Sequence, residues 1–90
     1  MTITYDIAKR DETLADRGLD FAHAEAVCAG RTLTHADVRL DYGEASFVTA
    51  GRLRGRIVMV VWTPRGTARR IISMRQANER EIKEFGPILG

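Results

Sequence analysis

Ninety residues with 44% apolar and 29% charged side chains are expected to form one domain, residues 1–90, with a modest core; a disordered or low-complexity chain is excluded. The longest apolar run, "IVMVVW", is far short of a membrane span, and no apolar stretch near the N-terminus leads to a small-residue cleavage site, so neither anchor nor signal peptide is expected. Net charge is only +2, yet residues 1–50 hold five Lys/Arg against nine Asp/Glu and residues 51–90 hold nine against three.

In chain order, "TITYD" reads as a short edge strand. "DIAKRDETLADRG" reads as a helix capped by Asp6, with Ile7, Leu14 and Ala15 at helical spacing and Gly18 placed to end it left-handed. "DFAHAEAVCAG" repeats that grammar, with Asp20 as cap, Phe21, Ala24, Val27 and Cys28 on one face, and Gly30 as stop. Cys28 is the single cysteine, which excludes an internal disulfide and suits a reducing cytoplasm; its helical setting predicts a buried thiol, not a nucleophile.

From Arg31 the period changes. "RTLTHADVRLDYGEA" is polar and weakly alternating, an irregular strand and loop, with Tyr42 a core or rim aromatic. "SFVTAGRL" alternates, "RGR" supplies a tight turn at Gly55, and "IVMVVW" is apolar on both parities, the mark of a central strand over 57–62. "TPRGT" predicts a hairpin turn and "ARRIISMR" the last strand. "NEREIKEFGP" opens with Asn78 and Glu81 at capping-box spacing and is expected to stop at Gly86–Pro87. The fold class is α+β, a sandwich with the helices on one sheet face: two N-terminal helices packed on a three- to four-stranded antiparallel sheet, followed by a C-terminal helix.

Between Gly51 and Asn78 there are seven arginines and no lysine or acid. Such a segment projects a positive field toward a polyanion, and the planar fork of arginine suits phosphate. Strict alternation puts Arg69, Ile71, Ser73 and Arg75 on one face, solvated or ligand-facing, and Arg70, Ile72 and Met74 on the other, with Arg70 at the rim of the core. Arg52 and Trp62 are expected to line the same open surface as the first set, a platform where cations track phosphates and the indole stacks a base. The alternative is a solvated face that protects strand edges. Neither His23 nor His35 is paired with Cys, Asp or Glu at metal-ligand spacing, so neither metal nor cofactor is expected.

Through "YDIAK", "RGLDFAHAEAV", "DYGEASFVTAGRLRGRIVMVVWTPRG" and "RRIISMRQANERE" the chain resembles BrnT-type toxins of bacterial type II toxin–antitoxin modules, small ribonucleases with a RelE-like fold. The resemblance implies a cytoplasmic, metal-independent ribonuclease that arrests growth when its antitoxin is absent. The implied partners are RNA and a ribbon-helix-helix, BrnA-like antitoxin, with DNA reached only through that antitoxin and no membrane involved. By the same resemblance Arg70, Ser73 and Arg75 fall on the family's "RIIS-x-R" strand, Glu44 on its "YGE", and Glu81 and Phe85 on helix positions held by an acid and an aromatic.

The catalytic candidates are therefore Arg75 and Arg70 as a clamp on the scissile phosphate, Ser73 to position an oxygen, and Glu44 to accept a proton or pair with an arginine. Arg69, Arg52, Trp62 and Arg17 are the RNA-binding candidates. Asp16 and Arg17 replace a usual Lys-His, Ser46 an arginine, Gln76 a basic residue and Trp62 a tyrosine. These departures support an alternative, a catalytically weakened domain that binds RNA or antitoxin. A small basic nucleic-acid-binding protein outside the family is the third reading. Arg75 leaves the last strand just before the helix capped at Asn78, so its guanidinium is expected beside the positive helix N-terminus, making a ready phosphate site there.

Overall fold

The computed structural model describes residues 2–37 and 45–90. Strand β1 (Thr2–Tyr5) leads into helix α1 (Ile7–Arg17), a turn of 3-10 helix (Phe21–His23) and helix α2 (Ala24–Ala29). Strands β2 (Thr32–Ala36), β3 (Phe47–Leu53), β4 (Arg56–Arg65) and β5 (Ala68–Gln76) follow, and helix α3 (Glu79–Leu89) closes the chain. The five strands form one sheet in the order β1-β5-β4-β3-β2.

The α+β class and the central strand are as expected, since β4 is third of five. The sheet itself differs: it is mixed, because β1 joins as a fifth strand parallel to β5, with Thr2 opposite Ala68 and Tyr5 opposite Ile71. Only the four strands β2 to β5 form the antiparallel meander.

β4 is buried on both faces because each parity meets its own layer. Val58, Val60 and Trp62 join Ile71 and Met74 beneath Leu19 of the α1 connection and Phe21, Ala24 and Val27 of the 3-10 turn and α2. Ile57, Met59 and Val61 join Val48 and Ala50 beneath Phe85 and Leu89 of α3, so helices cover both sheet faces and not the single face expected, because both parities of β4 are apolar. The N-terminal layer comes mainly from α2 and the turn before it. α1 buries no residue, and Ile7 and Leu14 stay exposed. It is held through polar contacts instead: Arg10 donates through Nε and Nη2 to both Asp20 carboxylate oxygens at 2.9 Å, and Arg17 Nη1 donates to the Met74 carbonyl at 2.8 Å.

The caps follow the residue chemistry. Asp6 accepts from the Ala8 and Lys9 amides, and Gly18 ends α1 left-handed at φ 68°. Arg54 and Gly55, at φ 53° and 80°, form the two-residue turn whose twist suits a hairpin. Gly51 is required for another reason. A Cβ there would lie 2.8 Å from both Val27 Cγ1 and the Val27 carbonyl oxygen, so α2 approaches β3 only across a bare backbone.

Two boundaries differ from the pattern reading. β4 continues through Pro64 to Arg65, and the hairpin turn is Gly66–Thr67; Pro64 is tolerated because β4 has by then outrun β3, which ends its pairing at Trp62. α3 passes through Gly86 and Pro87 to Leu89. A proline inside a helix costs about 3 kcal/mol, and burying a leucine such as Leu89 returns about 1.5–3 kcal/mol. Beyond it Arg52 donates through Nε to the Gly90 carbonyl (2.8 Å) and through Nη1 to that of Gly55 (3.0 Å), tying the end of α3 to the hairpin.

Candidate active site

A bulge decides which arginines share a face. β4 and β5 slip register so that Val61 opposes Ser73 while Trp62 opposes Ile71, and Ile72 is the extra residue. Antiparallel partners point to the same face, so Arg69, Ile71 and Met74 belong to the face under the N-terminal helices. Arg70, opposite Thr63, Ser73, opposite Val61, and Arg75, opposite Met59, belong to the α3 face. This corrects the alternation reading, which separates Arg70 from Arg75 and groups Arg69 with Arg75. Among the described residues Arg70 makes no ion pair.

Arg75, near the end of β5, has its guanidinium beside the N-terminus of α3, as expected, but an acid of the chain already fills that site. Its guanidinium makes a two-pronged ion pair with Glu81, Nη1 to Oε1 at 2.6 Å and Nη2 to Oε2 at 2.8 Å. Glu81 also completes the capping box: its Oε1 accepts from the Asn78 amide at 3.0 Å, while Asn78 Oδ1 accepts from the Glu81 amide at 2.8 Å. The chain thus supplies the anion that the helix N-terminus and the arginine both attract. Hydrogen bonding to Glu81 holds Arg75 above its ordinary pKa against the opposing effect of burial.

Next to this pair opens a cleft of about 570 Å³ between the sheet and α3. Arg75, Arg80, Glu81 and Glu84 line one side, and His35 and Asp37 of the β2 segment the other. His35 is exposed, and its ring stacks on Phe85, with centroids 6.2 Å apart and planes within 17°. Through Val48 and Val61 it is in register with Ser73. Sequence reading passes over His35; the available signal was the repeat Leu33, His35, Asp37, which puts all three on one strand face.

The proposed RNA-binding residues do not converge on this cleft. Trp62 is buried in the opposite face, where Phe47 stacks on it at 5.0 Å, the Arg69 guanidinium lies 4.1 Å from its ring centroid, and its Nε1 donates to Thr49 Oγ1 at 2.8 Å. The expected stacking platform is therefore core. Arg69 covers that core, and Arg52, opposite Ile57 on the α3 face, does not share a surface with Trp62. Arg17 is bonded to β5. Cys28 is only partly buried where a buried thiol was expected; burial pushes its thiol up, with Arg69 opposing. Glu44 and Tyr42 lie outside the described residues. Among the described residues no three His, Cys, Asp or Glu side chains gather as a metal site.

The family model described as "Ribonuclease toxin, BrnT, of type II toxin-antitoxin system" matches residues 5–81, from the end of β1 through the capping box of α3. The chain belongs to the BrnT family. Both Arg70 and Arg75, the bulge between them and Glu81 fall inside the matched span, as do His35 and the whole β2–β5 meander. Membership makes this a toxin of a type II toxin–antitoxin system, with an antitoxin as partner. No curated protein matches the chain. No helix among the described residues is long and apolar enough to cross a membrane.

Proposed function

We propose that this BrnT toxin is a metal-independent endoribonuclease of the cytoplasm that arrests growth when its antitoxin is missing. The observation that carries the reading is the bulge in β5, which gathers Arg70, Ser73 and Arg75 on the α3 face of the sheet, where Arg75 lines the cleft. RNA cleavage without a metal joins the 2′-oxygen to phosphorus and expels the 5′-oxygen, and it needs preorganised cations around the charged phosphorane. Arg75 and Arg70 supply them, Ser73 orients a phosphate oxygen, and Glu44 is the matched acid of the family motif.

The Arg75–Glu81 pair sets a condition on this chemistry. A phosphate that reaches Arg75 shares or displaces the Glu81 carboxylate, so binding energy from neighbouring phosphates must be drawn in. The same pair is the observation favouring the second reading, a weakened domain that binds RNA or antitoxin, since the arginine fork is already filled.

The antitoxin proposed is a BrnA-like ribbon-helix-helix protein that covers the basic segment 51–75 with an acidic or amphipathic element, through which the pair reaches DNA. Such an interface weakens with salt where its ion pairs are exposed. Induction of this chain in bacteria, alone and with its antitoxin, tests the reading. The account expects growth arrest and RNA fragmentation alone and rescue by the partner. Unimpaired growth with intact RNA would favour the weakened domain.

A further inference from the structure

We infer that His35 is the proton donor to the departing 5′-oxygen, a role that rests on the ribonuclease reading above. The leaving alkoxide needs a proton, and the cleft offers few groups able to give one at neutral pH. An arginine holds its proton too tightly, and a carboxylate is ordinarily an acceptor at that pH. Imidazole is the side chain that both carries and releases a proton between pH 5 and 8.

Position supports the chemistry. His35 and Arg75 both line the cleft; Arg75 is in register with Leu33 through Met59 and Ala50, so His35 lies three strand spacings across and two residues along, roughly 16 Å at the backbone, and the two side chains reach into one cleft from opposite sides. This role places the phosphate on Arg75 with its 5′-oxygen turned toward β2, the side from which His35 reaches the cleft. The stack on Phe85 fixes the ring plane without using either ring nitrogen. The charged groups that line the cleft with it are Arg75 from β5, Arg80, Glu81 and Glu84 from α3, and Asp37 just beyond β2. In the step, the 2′-oxygen bonds to phosphorus and loses its proton to water, the P–O5′ bond breaks, and the imidazolium proton passes to O5′. The products are a 2′,3′-cyclic phosphate and a 5′-hydroxyl.

The test compares the parent with His35→Gln and His35→Phe on two oligonucleotides with the parent's mapped cleavage site, one normal and one bearing a bridging 5′-sulfur there. Sulfur leaves without protonation. The inference expects both variants to cleave the normal strand about 100-fold or more slowly, to approach the parent on the sulfur strand, and to lose the decline in rate above the imidazole range. His35→Phe keeps a ring on Phe85, so recovery of activity by that variant would make His35 a packing residue and overturn the assignment. Equal slowing on both strands, or parental rates for His35→Gln, would overturn it while leaving the ribonuclease reading intact. A parent inactive on both strands would overturn both. His23→Gln, which alters a histidine on the other side of the sheet, is the control and should match the parent throughout.

Discussion

Replacing Arg75 with alanine separates two consequences that an exposed arginine would not combine. The guanidinium and carboxylate of the Arg75–Glu81 pair are 33% and 17% accessible, between a surface pair worth up to about 1 kcal/mol and a buried pair whose rupture costs about 3–5 kcal/mol. Allowing for solvent screening, Arg75→Ala should destabilise the fold by about 1–2 kcal/mol, readable as a lower urea midpoint at unchanged slope. Glu81→Gln should cost less, because glutamine preserves the capping box. The double variant then gives a coupling of about 1 kcal/mol in a cycle. Activity should fall further than stability, by on the order of 2–4 kcal/mol or about 30- to 1,000-fold, if the guanidinium stabilises the phosphorane as oxyanion donors do. Cleavage of a labelled RNA is followed at a temperature where both proteins are fully folded, with Lys9→Ala on α1 as the charge control. Parental cleavage by folded Arg75→Ala would refute the placement of the scissile phosphate.

Gly51→Ala should destabilise by about 1–3 kcal/mol in urea unfolding, since the new methyl meets the fixed Val27 carbonyl 2.8 Å away. Thr49→Val should cost about 1–3 kcal/mol and shift the fluorescence of the single tryptophan, because Trp62 Nε1 loses its buried acceptor. The Arg10 guanidinium, helped by the Ala22 amide, holds the Asp20 carboxyl down at about 2 from 3.8. A depressed folded-state pKa stabilises above the unfolded value, so this contribution is complete above about pH 4 and lost as pH falls toward 2; acid titration of Asp20→Asn should lack that segment.

What could be read in the sequence was local. Asp6, Asp20 and Asn78 cap helices because a short polar side chain beside a helical run has few better partners than the open amides, and β4 declares itself central because both parities are apolar. What escaped depended on distant partners. The pairing of β1 with β5 joins Thr2 to Ala68, and no pattern within either segment encodes it. α3 runs through Pro87 because Leu89 finds a core formed by β3 and β4. The bulge had a faint trace: Ile71, Ile72 and Met74 cannot all be buried on one face by alternation, and slipping one residue buries Ile71 with Met74 and packs Ile72 against the α3 layer. Of the candidate site, Arg70, Ser73 and Arg75 stood together only through the family resemblance; alternation put Arg70 on the other face, and the bulge that brings the three onto one face was not legible. That Glu81 fills the Arg75 fork was not legible either, although capping-box spacing had put Glu81 within reach. Trp62 misleads because an aromatic in an arginine-rich strand suits either a platform or a core, and the Thr49 hydroxyl that satisfies its N–H lies on another strand.

The central claim, RNA cleavage by this chain without a metal, is tested most directly by incubating the purified toxin with a labelled RNA in excess EDTA and analysing the product ends. The account predicts fragments ending in 2′,3′-cyclic phosphate and beginning with 5′-hydroxyl, formed at the same rate with and without the chelator. RNA that stays intact while still binding the protein, or cleavage that the chelator abolishes, would contradict it.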